Sequence, residues 1–127
     1  MDEGSPDEKR LLIIDDDESL CEIFKLTMEK AGYQVADAGD GERGLAKAKV
    51  FKPHLIVLDM MMPKLNGFGV LRRLQSEGLG GIPVIVITGF SDPANAQIVR
   101  QEPNVVEFLQ KPIPYADLPA LIARLLS

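Results

Sequence analysis

The sequence predicts an α/β fold: a doubly wound five-stranded parallel sheet, (βα)5, over residues 10–127. Two observations predict it. Five short aliphatic runs recur along the chain, and the segments between them space their apolar residues at helical period. A third observation places the function, because acidic, hydroxyl and basic residues stand where these runs end.

The runs are RLLIID (10–15), YQVADA (33–38), LIVLD (55–59), PVIVIT (83–88) and VVEFLQ (105–110). Three of them are nearly continuous in Val, Ile and Leu, as strands covered on both faces are. After the first run, ESLCEIFKLTMEKAG puts Leu20, Phe24, Thr27, Met28 and Ala31 on one face, with Gly32 as terminator and Asp17 as the cap. GERGLAKAKVF offers Leu45, Ala48 and Phe51, and GFGVLRRLQSEG offers Phe68, Leu71 and Leu74 with Arg72 and Arg73 outward. DPANAQIVRQ opens with Asp92 as cap and Pro93 in the first turn. PYADLPALIARLL predicts a helix over 114–126, with Leu118, Leu121, Ile122 and Leu125 at core spacing. Residues 1–9 read as a flexible acidic tail, and residues 10–127 as one domain.

Composition removes several classes. A net charge of −5 leaves no basic surplus for phosphates, so the domain is not expected to bind nucleic acid directly. No apolar run approaches the ~18 residues of a membrane span, and the polar start MDEGSPDEKR is no secretory signal. A single cysteine, Cys21, excludes an internal disulfide, fits a cytoplasmic location and reads as a small buried hydrophobe. The lone His54 reads as strand-edge packing.

In a parallel sheet of this kind ligands bind beyond the carboxyl ends of the strands. Asp15 and Asp16 follow the first strand, Asp59 ends the third, Thr88 ends the fourth, and Lys111-Pro112 follows the fifth. Three carboxylates, a hydroxyl and an ammonium would share one crevice. Oxygen donors of this kind suit a hard divalent cation such as Mg²⁺. A lysine and a hydroxyl opposite would suit phosphoryl oxygens, and a central carboxylate could serve as nucleophile. The bland explanation of each residue taken singly needs five coincidences at strand ends. The three methionines after Asp59, Met60 to Met62, are expected to be gap-fillers.

On these residues the chain resembles a response-regulator receiver domain, the phosphoacceptor domain of two-component signalling, with its flavodoxin-like receiver fold. The matching positions are Asp15-Asp16 after LLII, Asp59 in LIVLDMMMPKLNG, Thr88 in VIVITG and Lys111 in FLQKP. The resemblance implies that Asp59 is the phosphoacceptor. It implies that Asp16 binds Mg²⁺ directly, that Asp15 acts mainly through a metal-bound water, and that the backbone carbonyl of Met61 adds a ligand. Lys111 would pair with the acceptor and then with the phosphoryl group. Thr88 would swing onto a phosphoryl oxygen, with Phe108 as the second switch residue where relatives often carry Tyr. Pro112 marks the position of a cis peptide. Gly67, in KLNG, suits a turn that needs an unusual backbone angle. Met61 and Phe90 would flank the phosphoryl group, and being unable to orient water they imply slow self-dephosphorylation.

The implied donor is a sensor histidine kinase or a histidine phosphotransfer protein, and the protein would be a signalling switch rather than a turnover enzyme. The output would leave through the 92–126 face by protein contact, a phosphorylation-dependent homodimer being one form of it. With no further domain expected in these residues, the output partner and pathway are unread. Two rival readings fit parts of this pattern. A haloacid-dehalogenase-type phosphatase needs a second Asp at position 61, where Met61 stands, and a cap domain. A phosphorylation-independent docking module would keep the fold and dispense with the chemistry.

Overall fold

The computed structural model describes residues 8–62, 65–89 and 93–127. The expected tail falls largely outside the described residues, as do the Asp92 cap and Phe90. Strands and helices alternate throughout: β1 (Arg10–Ile14), α1 (Glu18–Lys30), β2 (Gln34–Ala38), α2 (Gly41–Phe51), β3 (Leu55–Asp59), α3 (Gly67–Ser76), β4 (Val84–Thr88), α4 (Pro93–Arg100), β5 (Val105–Gln110) and α5 (Leu118–Leu126). All four pairings are parallel, and the strand order is β2-β1-β3-β4-β5. The chain therefore reverses its direction of winding between β1 and β3, where the crevice for a ligand opens.

Burial explains the sheet. β3 and β4 are buried at every position and β1 at all but its first, whereas the edge strands β2 and β5 are only partly covered. Along the inner strands alternate residues feed two cores. Leu12, Ile14, Ile56, Leu58, Val84 and Val86 pack under α2, α3 and α4. Leu11, Ile13, Leu55, Val57, Ile85 and Ile87 pack under α1 and α5. Each fully buried aliphatic side chain contributes roughly 1.5–3 kcal/mol. The inner strands thus form the rigid part from which the site projects.

Local signals set the helix ends. Asp17, Asp40 and Asn66 each accept a hydrogen bond from the backbone N–H three residues on, at 3.1, 2.8 and 3.0 Å, and so start α1, α2 and α3. α1 stops at Gly32, whose φ of 102° lets its N–H reach Glu29 O while Tyr33 N–H reaches Met28 O. Arg10 donates its Nε–H to the carbonyls of Phe51 and Lys52 at the end of α2, and its N–H to Nδ1 of His54. His54 is thus an acceptor at the strand entry, its pKa lowered by burial and by Arg10 and Lys9.

Four expectations need correction. The last helix begins at Leu118 rather than at 114. A helix running through 114–119 would place Pro119 where it lacks an N–H and clashes with the carbonyl four residues back. On α1 the buried residues are Cys21, Phe24 and Met28, while Ala31 is exposed, because the core meets the Cys21–Met28 side. Gly67 has no positive φ. It is glycine for space: a Cβ there would stand 2.5 Å from Met60 Sδ, 2.7 Å from Met60 Cα and 2.8 Å from Asp59 O. Met61 is no gap-filler, being 56% exposed, whereas Met62 is buried. On α3, Val70 joins Leu71 and Leu74 as a core residue that the sequence reading passed over.

Candidate functional site

The site lies at the C-terminal edge of the sheet. Asp15 follows β1 directly, and its N–H bonds Ala38 O at 3.0 Å, extending the β1–β2 ladder by one residue. Asp15 is 1% exposed. Its Oδ1 accepts the Asp17 N–H at 2.9 Å, and its carbonyl accepts the Cys21 thiol at 3.4 Å. Asp59 ends β3, 2% exposed, with Oδ1 accepting the Met61 N–H at 3.2 Å. Each buried carboxylate thus spends one oxygen on the backbone N–H two residues on.

Lys111 follows β5, its N–H bonded to Thr88 O at 2.7 Å, and the Lys111–Pro112 peptide is cis. Its Nζ lies 3.2 Å from Asp15 Oδ2 and 3.8 Å from Asp59 Oδ1. Thr88 is buried at the end of β4. Asp16, in contrast, is exposed. One oxygen from each of Asp15, Asp16 and Asp59 falls within 4.8 Å of the others.

Electrostatics follow from that crowding. Burial, then the charge of Asp15, pushes the Asp59 carboxyl up to about 6. Asp15 is raised as well, by burial above all. Burial alone would lower Lys111, but the charges of Asp15 and Asp59 outweigh it and raise its pKa. Burial and the charge of Asp15 push the Cys21 thiol up to about 12, so it is an inert hydrogen-bond donor.

One lysine does not satisfy this site. The buried Asp15 Oδ2 has the Lys111 ammonium 3.2 Å away, and that one ammonium is shared with Asp59 Oδ1 at 3.8 Å. Three clustered carboxylates sharing one ammonium, with no nitrogen or sulfur ligand in the cluster, fit a hard divalent cation.

Phe108, the expected second switch residue, and the Met61 side chain, expected to influence phosphoryl lifetime, are not among these clustered groups. Phe108 is half-buried against the α2–α3–α4 core, with the Arg100 guanidinium 5.1 Å from its ring centre. The Met61 side chain is exposed beside the crevice. A separate cleft of about 840 Å³ between α1 and α2 opens beside Asp15, but Asp59, Thr88 and Lys111 do not line it. Sequence reasoning missed two supports of Asp15: the Asp17 N–H and the Cys21 thiol. The two-residue spacing from Asp15 to Asp17 hints at the first. Nothing in the sequence shows the second.

The chain is thus a doubly wound α/β domain of strand order 2-1-3-4-5, with an acidic pocket and an opposed lysine at its switch point. Residues 11–123 match the response regulator receiver domain family, and the chain belongs to that family. It is 34% identical over 118 residues to the alkaline phosphatase synthesis transcriptional regulatory protein PhoP of Bacillus subtilis, covering 93% of this chain and 48% of that protein. It is 36% identical over 118 residues to the DNA-binding dual master transcriptional regulator RpaA of Synechocystis, covering 92% of this chain and 48% of that protein. The chain therefore spans about half the length of the curated relatives it matches. The solved structure of a CheY-like receiver domain protein from Methanospirillum hungatei superposes with a TM-score of 0.85 at 28% identity, covering 94% of both chains.

Family membership makes this a receiver domain of two-component phosphorelay signalling and does not favour the docking-module alternative. Relatives named as DNA-binding stand in tension with an expectation of no nucleic-acid contact, which here concerns only the receiver residues. No helix among the described residues is long and apolar enough to cross a membrane.

Proposed function

We propose that Asp59 accepts a phosphoryl group from a phosphohistidine on a sensor kinase or phosphotransfer protein, and that the 92–126 face reports the event. The observation that carries this is the convergence of Asp15, Asp16 and Asp59 within 4.8 Å, with Lys111 against the two buried members. An Asp59 carboxylate oxygen forms the new P–O bond as the donor P–N bond breaks, and the electron pair leaves on the imidazole nitrogen.

Asp15, Asp16, Asp59 and the Met61 carbonyl would hold Mg²⁺, which when bound neutralises the carboxylates and the incoming phosphoryl oxygens. Lys111 moves its attraction from carboxylate to phosphoryl oxygen, and the Thr88 hydroxyl donates to another. Those new bonds bias the segment after Thr88 and, with Phe108, the α4–β5–α5 surface. A homodimer through that surface is one output. Exposed, apolar Met61 supplies no group to orient an attacking water, which supports a long-lived acyl phosphate. The protein is read as acting in the cytoplasm, as a switch without turnover.

The test is intact mass after incubation with a small-molecule phosphodonor, with and without Mg²⁺, beside Asp59→Asn. One Mg²⁺-dependent phosphoryl gain, absent from the variant, is expected. No gain in the wild type with any donor would sink the proposal and revive the docking module.

A further inference from the structure

Gly41 opens α2, is buried, and has no positive φ, so its lack of a side chain concerns space rather than backbone conformation. A Cβ there would stand 2.7 Å from the carbonyl oxygen of Leu65, 3.0 Å from Leu65 Cβ and 2.8 Å from Val70 Cγ2. The start of α2 therefore touches the start of α3 with no slack. On the far side of that same turn, Gly67 has no slack either, since a Cβ there would lie 2.8 Å from Asp59 O and 2.7 Å from Met60 Cα. Gly67 N–H also donates to Met60 O at 3.3 Å. The segment from Leu65 into the first turn of α3 is thus a wedge held between α2 and the backbone of Asp59 and Met60. Gly69 fastens it, a Cβ there meeting Leu65 Cδ1 at 2.5 Å.

We propose that Gly41 is a positioning residue for Asp59, acting through the Leu65–Gly67 wedge, so that α2 sets the aim of the acceptor carboxylate and its Met61 hydrogen bond. This rests on the phosphoacceptor reading above. At Gly41 the contact is not with flexible side-chain tips alone. The nearest atom is a carbonyl oxygen, and close-packed interiors pass such displacement on. Pushed from the Gly41 side, the wedge moves against Asp59 and Met60, and the carboxylate cluster loses its registration.

The test compares Gly41→Ala with Gly39→Ala, a nearby glycine whose added Cβ would meet nothing within 4 Å. Mg²⁺ binding to the unphosphorylated protein is measured by calorimetry, and the urea midpoint is measured alongside. Overpacking of this size is expected to weaken Mg²⁺ binding by about tenfold in Gly41→Ala, with Gly39→Ala unchanged. Removing the Val70 branch as well, in Gly41→Ala/Val70→Ala, recovers part of the loss. A merely structural role would lower the urea midpoint and leave the isotherm of the folded protein alone, which overturns the proposal. So does an equal loss in Gly39→Ala. Should Gly41→Ala fail to fold, Leu65→Ala loosens the same wedge from the other side. It should weaken Mg²⁺ binding severalfold, and an unchanged isotherm there is equally fatal. A wild type that neither binds Mg²⁺ nor takes a phosphoryl group overturns the phosphoacceptor reading as well. A wild type that does both, beside a Gly41→Ala variant indistinguishable from it, overturns the positioning role alone.

Discussion

Replacing Asp59 with Asn should stabilise the protein in the absence of divalent cations. Oxygens of Asp15, Asp16 and Asp59 lie within 4.8 Å of one another, and at an effective dielectric of ~20 two unit charges at that distance repel by roughly 3.5 kcal/mol. Lys111, 3.8 Å from Asp59 Oδ1, returns roughly 4 kcal/mol on the same scale, but it is shared with Asp15 at 3.2 Å. Burial is then uncompensated, and the Asp59 carboxyl rises from 3.8 to about 6, which corresponds to roughly 2–3 kcal/mol. The sign follows from proton counting. Between the unfolded and folded pKa values the native state holds the extra proton, so wild-type stability falls as pH rises through that window. Asn is neutral throughout.

Urea unfolding in chelator should therefore show Asp59→Asn more stable by roughly 2–3 kcal/mol at about pH 7.5, with the gain shrinking below about pH 6 and gone near pH 4. Added Mg²⁺ narrows the gap, because a ligand at roughly ten times its Kd stabilises the wild type by about 1.4 kcal/mol and the variant binds it less well. A variant no more stable than wild type in chelator, or a gain undiminished at low pH, would refute the electrostatic account of the site.

Gly67→Ala should cost about 1–3 kcal/mol by urea unfolding, since its Cβ would press on the Asp59 and Met60 backbone; an unchanged midpoint would contradict the close approach. Glu102→Ala should cost about 1–3 kcal/mol, because Glu102 Oε1 accepts from Arg72 Nε at 3.1 Å and from Gln75 Nε2 at 2.9 Å in a partly buried site. Full stability there would show that water satisfies those donors. Asp40→Ala removes the cap on Arg43 N–H and should cost about 1 kcal/mol, with Asp40→Asn recovering most of it. For the phosphorylated protein, decay followed by intact mass at neutral pH should be slow, and a half-life of seconds would show that an apolar residue at position 61 does not protect the acyl phosphate.

The sequence by itself determined the order of elements and which residues stand at the strand ends. Period-two and period-3.6 patterns are local, and a strand covered on both faces shows itself in runs such as LIVLD and PVIVIT. Because parallel strands expose the same end, residues just past each run could be assigned to one crevice before any contact was known. Tertiary structure alone decided how they meet. Lys111 stands nearer Asp15 than Asp59, and Asp15 is buried while its neighbour Asp16 is exposed. It also decided why Gly41 and Gly67 are glycines: each faces a backbone segment distant in sequence or folded back on it, and such space leaves no mark on local periodicity. Pro119 shows the intermediate case, a helix start that apolar spacing extends and that one missing N–H cuts short. Pattern specifies which face is buried. Distances of a few tenths of an ångström between segments far apart in the chain specify where a carboxylate points, and those arise only when the whole core has packed.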